Sequence, residues 1–175
     1  MLDFAHAARL VLARIAGKYQ IPVVTRDIPD PLTGDLDGAE IHIDYAVSEE
    51  LLLFLLLHLL GHTVQWNVDP KAREIGQLLT PPVMDEARLQ AVLRYEDEAA
   101  RYAAALLEES GAGGFEQWLA DFSAADRAYL EHYYRTGEKR AFEEFRVPGN
   151  ALVQPLPIPA FTPKSCRFRL DGIVI

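Results

Sequence analysis

Two histidines, His58 and His62, stand four residues apart in the string HLLGH. Side chains at positions i and i+4 of a helix lie on one face, so both imidazoles can reach a single metal ion. The surrounding segment is strongly apolar, and a buried imidazole is costly unless each ring finds a partner. The pair therefore indicates either a metal site or two core histidines that bind carbonyl or carboxylate oxygens.

A third ligand must come from another part of the chain, because two protein ligands rarely hold zinc. The helix predicted to begin at Asp85 offers two glutamates, Glu96 and Glu98. Glu98 shares a helix face with Arg94 and Arg101, which is typical of a solvated ion-pair face. Glu96 falls on the face of small apolar residues, where a carboxylate needs a metal or a histidine as partner. The alternative for Glu96 is a carboxylate in water at the edge of the helix.

The elements that would position these side chains follow from hydrophobic spacing, capping residues and breakers. The predicted helices run from Asp3 to Gly17, from Ser48 to about Trp66, from Ala72 to Leu78, from Asp85 to Ser110 and from Phe115 to about Arg135; the predicted strands cover 21–25 and 40–45, and a loop rich in proline, glycine and aspartate covers 27–38. The helix after Ser48 is apolar nearly all round, so we expect it at the centre of the core.

The composition changes after Val147, where five prolines within 148–163 forbid a helix. We expect one domain over residues 1–147 and a proline-rich tail over 148–175 that docks on it. The alternation after Cys166 predicts a strand, and the apolar residues 173–175 are expected to dock as well. If the tail covers the metal cleft, the stretch from Pro155 to Pro163 could mimic a bound peptide.

Length and charge exclude several classes of protein. The chain has 175 residues and a formal net charge of −9, which fits one domain and argues against a broad nucleic-acid or anionic-membrane surface. One cysteine, Cys166, excludes an intramolecular disulfide framework and a CxxC zinc site, and we expect it to be a small buried residue. The apolar run from Leu51 to Leu60 is shorter than the roughly 20 residues of a spanning helix. With no signal-peptide pattern, we expect a cytoplasmic protein that contacts neither membrane nor nucleic acid directly.

Two segments together resemble the ImmA/IrrE-like metallopeptidases. SEELLLFLLLHLLGH, residues 48–62, is similar to the metal-binding helix of that family, and YEDEAARYAAALLEE, residues 95–109, is similar to its second motif. The resemblance implies an α+β fold, a zincin-like minimal domain with a small sheet packed on three to four helices. It also implies zinc as the cofactor, with His58, His62 and Glu96 as ligands.

The sequence departs from the family at two positions. Leu59 stands where the HExxH motif has its glutamate, the general base that takes a proton from the attacking water and returns one to the leaving amine. Ala100 stands where the family has Asn or Asp, which can orient a ligand histidine. A substitute base would have to come from elsewhere, such as His42 or Asp44 on the preceding strand, or Asp69 and Asp85 after the metal helix.

These departures predict a catalytically impaired or inactive metallopeptidase-like protein. We expect it to retain a zinc site and to act by binding a protein partner; the resemblance implies a transcriptional regulator of the helix-turn-helix type. One alternative is an active zinc hydrolase with a relocated base, acting on peptides or on substrates with a better leaving group than an amine. The other is a metal-free interaction domain in which His58, His62 and Glu96 form a hydrogen-bonded cluster.

Overall fold

A computed structural model describes residues 2–28, 32–77 and 83–166, and it has an α+β fold. Within these described residues, five α-helices and the three strands of one sheet follow each other. They are α1 (Phe4–Arg14), β1 (Val23–Arg26), β2 (Gly34–Leu36), β3 (Ile41–Asp44), α2 (Glu49–Val68), α3 (Pro70–Gln77), α4 (Glu86–Ser110) and α5 (Glu116–Thr136), with a π-helical turn at Ile15–Tyr19 and a 3₁₀ turn at Phe142–Phe145. The α+β class predicted from the sequence is confirmed, with five helices in place of three to four.

The sheet has the order β1-β3-β2 and is mixed, because β1 is parallel to β3 and β2 is antiparallel to it. Two predictions for the first 40 residues, a loop and the end of the first helix, differ from the structure. The predicted loop 27–38 contains β2, whose residues Gly34 and Leu36 pair with Ile43 and Ile41. The first helix does not end at Gly17: it continues as a π turn because Ile15 and Tyr19 are buried, and Gln20 ends it in the left-handed region.

Helix α2 is the central element of the core, as its sequence predicted. The Ser48 hydroxyl accepts a hydrogen bond from the Leu51 N–H, and Glu49 and Glu50 lie in the first turn, where the helix dipole favours anions. By length and composition this helix could cross a membrane, but 72% of its apolar window is buried inside the fold. It therefore fits the core helix of a folded domain, packed mainly against α4 and α1.

The segment after the 3₁₀ turn is extended and crosses the surface of the helices. Val153, Leu156, Ile158 and Phe161 pack against the main core. The Leu156 N–H donates to the carbonyl of Arg101 on α4. Cys166, the last described residue, is only half-buried. The predicted strand after it and the predicted docking of residues 173–175 lie outside the described residues.

Candidate metal centre

The site is built where α2 and α4 pack most closely. Gly61, between the two histidines, makes that approach possible: a Cβ placed there would lie 2.4 Å from the carbonyl oxygen of Ala99. A glycine is therefore required at this crossing, because any side chain would collide with the backbone of α4. The close approach brings Glu96, one turn before Ala99, to the histidine face of α2.

Three side-chain atoms converge at this crossing. The Nε2 atoms of His58 and His62 are 3.0 Å apart, and the Glu96 Oε2 atom lies 3.1 Å from His62 Nε2 and 3.6 Å from His58 Nε2. Tetrahedral zinc with ligands at about 2.0–2.1 Å separates its donor atoms by about 3.3 Å. The three observed separations bracket that value, so their spacing is compatible with one ion among the three donors. The sequence-predicted residues His58, His62 and Glu96 are thus brought together.

Electrostatics favour an ionised Glu96 beside neutral His58. Burial alone would raise the pKa of Glu96, but the adjacent His62 and His58 lower it below its ordinary value. Burial and the neighbouring His62 lower the pKa of His58 to about 4. For His62, burial opposes protonation, and the Glu96 carboxylate overcomes it and raises the pKa. The cluster therefore presents one carboxylate and one neutral imidazole, and it favours a cation at the position of the His62 proton.

Gln65 orients His62, a role that Ala100 cannot play. The His62 Nδ1–H donates to Gln65 Oε1 at 2.9 Å, while the Gln65 amide nitrogen donates to the Tyr95 carbonyl at 2.9 Å and to a Glu98 oxygen at 2.7 Å. Those two acceptors fix the amide so that its oxygen faces the imidazole. With Nδ1 protonated, the Nε2 lone pair of neutral His62 points at His58 and Glu96, as a metal ligand requires.

An open cleft of about 480 Å³ lies between α4 and α5 and leads to the cluster of His58, His62 and Glu96. His58 and Glu96 lie at its floor with 18% and 13% of their side chains exposed, whereas His62 is 7% exposed. The extended tail forms one wall through Asn150 and Gln154. The prolines 155–163, considered as a peptide mimic, lie beyond this wall.

Leu59 does not face the cleft. It is 7% exposed, and its Cδ1 atom lies against β2, so close that a Cβ added to Gly34 would be 2.9 Å from it. The position that carries the base in HExxH is therefore filled by hydrocarbon packed between α2 and the sheet. A proton acceptor for this cleft must come from another residue.

The four substitutes considered from the sequence are engaged elsewhere. Asp44 accepts the N–H groups of Ile28 and Ala46, which lowers its pKa. Asp69 accepts an N–H at the start of α3, and Asp85 caps α4. His42 is buried in the sheet, where its Nε2 lies 3.0 Å from a Glu40 oxygen.

The carboxylate that sequence reasoning missed is Asp126. It lies on α5 and lines the same cleft as His58 and Glu96. Burial and the charge of Glu96 raise its pKa to about 7, against the opposing effect of His62. In the sequence, Asp126 follows two alanines on the predicted helix and precedes Arg127. This pattern alone does not indicate a metal cleft.

Comparison of the chain with protein families, with curated proteins and with solved structures gives no match.

Proposed function

We propose that this chain is a zinc-binding, zincin-like protein that is impaired as a peptidase and acts by binding a protein partner at the metal cleft. The observation that carries the proposal is the convergence of His58 Nε2, His62 Nε2 and Glu96 Oε2 within 3.0–3.6 Å of each other. Two imidazoles and a carboxylate are a donor set that zinc accepts. Gln65 supports it by fixing the tautomer that a ligand His62 needs.

Three protein ligands leave a fourth zinc position unfilled, which distinguishes reactive sites from closed structural ones. The cleft between α4 and α5 gives that position access to solvent, because His58 and Glu96 line its floor. A partner segment can therefore reach the ion. The similarity to ImmA/IrrE-like metallopeptidases supports a helix-turn-helix regulator as the partner.

Impairment follows from position 59. A peptidase must remove a proton from water and deliver one to the amine, and loss of such a group costs about 10²–10⁴ in rate. Leu59 can do neither, and its side chain packs toward β2. Binding without efficient peptide cleavage is the function that fits this arrangement.

The test is the metal content of protein purified without chelators, measured by inductively coupled plasma mass spectrometry. We expect about one zinc per chain in the native protein and loss of zinc in His58→Ala and Glu96→Gln. His6→Ala, which changes an exposed histidine on α1, is the matched control and should keep its zinc.

Absence of zinc after reconstitution of folded protein would refute the metal site and favour the metal-free cluster. Partner binding is tested separately by titrating the metal-loaded protein with a purified helix-turn-helix regulator encoded beside its gene. Binding that is weakened by Glu96→Gln and unaffected by His6→Ala would support the cleft as the docking site; equal binding by all variants would exclude it.

A further inference from the structure

Two aspartates, Asp97 and Asp126, line the cleft, and a third, Asp121, binds the Asn150 of its wall. Asp97 forms an ion pair with Arg127 at 2.9 Å, and Asp121 accepts hydrogen bonds from the backbone and side chain of Asn150. Within residues 2–28, 32–77 and 83–166, Asp126 has neither a hydrogen bond nor an ion pair, although it is half-buried. A carboxylate in this condition retains its capacity to accept a proton.

Asp126 lines the cleft of the metal ligands without belonging to them. The group of ligand atoms that lie within 4.8 Å of one another contains His58, His62 and Glu96 and does not include Asp126. Burial raises the pKa of Asp126, and the charge of Glu96 raises it further, against the effect of His62. Asp126 therefore shares the cleft with the cluster as a separate carboxylate.

The other charged groups of the cleft are paired or oriented elsewhere. Arg127 binds Asp97 and Glu131, and the Arg101 Nε–H donates to the carbonyl of Gln154 in the tail. Asp126 is thus the cleft carboxylate that is free to exchange a proton with water. A carboxylate that lines the cleft without a partner can take a proton from a water molecule there.

We propose that Asp126 is the proton acceptor of a hydrolytic activity in this cleft, with carboxylic esters as the substrate class. This inference rests on the proposed zinc site, and it gives the impaired peptidase a residual reaction. Zinc, when bound, would supply Lewis-acid polarisation of an oxygen at the cleft floor.

The reaction of these residues balances as an ordinary hydrolysis. Asp126 accepts a proton from a water molecule as the water oxygen forms a bond to the ester carbonyl carbon. The bond from that carbon to the alcohol oxygen then breaks, and the proton held by Asp126 passes to the departing oxygen. The products are a carboxylic acid and an alcohol, and Asp126 is again ionised.

Esters are favoured over peptides because of the leaving group. An amine departs only after it is protonated, so peptide cleavage depends on a proton transfer to the leaving group as well as on proton removal from water. An alcohol or phenol oxygen with a low pKa departs with little help. A single carboxylate in the cleft is therefore sufficient for an activated ester.

The probe is 4-nitrophenyl acetate, whose hydrolysis releases a coloured phenolate, used with the zinc-loaded full chain. We expect Asp126→Asn to lower kcat/KM by about 10²–10⁴, and Asp126→Glu, which retains a carboxylate, to recover part of the loss. Asp27→Asn makes the same chemical change at an exposed position after β1 and should leave the rate unchanged.

The second readout is zinc affinity, measured by competition with a chromophoric chelator. Asp126 lies outside the ligand cluster, so Asp126→Asn should bind zinc as the native chain does. The pH profile of kcat/KM should also lose its acidic limb in this variant. If Asp126 served only the folding of the chain, the acidic limb would remain in Asp126→Asn, and a carboxylate in Asp126→Glu would not be what restores the rate.

The outcomes separate this inference from the proposed function. If the native chain binds zinc but does not hydrolyse the ester, or hydrolyses it as fast after Asp126→Asn, the inference is overturned and the zinc site stands. If Asp126→Asn loses zinc, Asp126 is a ligand and not a base. If the native chain binds no zinc, both proposals fail.

Discussion

Replacement of Gln65 by leucine tests whether the amide sets the geometry of the proposed zinc site. Gln65 is fully buried and makes three hydrogen bonds, to His62, Tyr95 and Glu98. Loss of a group that orients a ligand histidine typically costs about 10–100-fold in metal affinity. We therefore expect Gln65→Leu to weaken zinc binding by that factor, which corresponds to about 1.4–2.7 kcal/mol.

The same change also lowers the free energy of unfolding. The His62 Nδ1–H would be left buried without its partner, and an unsatisfied group of this kind costs about 1–3 kcal/mol, whereas the Tyr95 carbonyl keeps its bond within α4. We expect a loss of about 1–3 kcal/mol in chemical denaturation. Gln65→Glu keeps an acceptor for His62 but loses both donors, so it should retain more zinc affinity than Gln65→Leu while also being less stable than the native protein.

Zinc affinity is measured by competition with a chelator at pH 7, on variants whose circular dichroism shows the native helix content. Gln90→Leu, which removes an amide that bonds Glu86 on the surface of α4, is the matched control and should leave affinity unchanged. Equal zinc affinity in folded Gln65→Leu and native protein would refute the role assigned to Gln65.

Three further predictions concern the packing and charge of the site. Gly61→Ala should destabilise the fold and abolish zinc binding, because its Cβ would lie 2.4 Å from the Ala99 carbonyl, while Gly113→Ala, whose Cβ would have its nearest neighbour 4.0 Å away, should be neutral in both assays. In the zinc-free native protein, the free energy of unfolding should fall by up to about 4 kcal/mol between pH 4 and 7, because folded Asp126 keeps a proton that the unfolded chain has released. Asp126→Asn should remove this fall, which urea titrations at several pH values measure. Leu59→Glu should cost about 3–5 kcal/mol by burying an unpaired charge; native stability with peptide cleavage would show that position 59 reaches the cleft.

The parts of the fold that the sequence predicts are those fixed by local pattern. The apolar run around His58 identifies α2, and the helical spacing of Glu96 separates it from Glu98 before any contact is known. Strand β2 could not be found this way: Gly34–Leu36 is three residues long, has no clear alternation, and exists because it pairs with β3. Its pairing is a long-range contact, which local propensity does not contain.

The two functional residues that were missed depend on packing between helices. Gln65 can be seen in the sequence as an amide one turn after His62, but its role requires the Tyr95 carbonyl, 30 positions away, to fix the direction of its oxygen. Asp126 is 30 residues after Glu96 and reaches the cleft only because α5 packs on α4. Both contacts join different helices, so a helical wheel, which compares positions within one helix, cannot show either of them.

The hydrogen-bond pattern at the cluster favours a cation there. The His62 Nδ1–H donates to Gln65, so when His62 is neutral its Nε2 faces His58 and Glu96 with a lone pair. The Glu96 oxygen lies 3.1 Å from that nitrogen, so a proton on His62 or a metal ion between them would pair with the charge of the carboxylate. Since Glu96 raises the pKa of His62, the proton and zinc compete for the same place. The metal-free cluster and the proposed zinc site are therefore two occupancies of one geometry, and a metal ion would gain over the proton as pH rises.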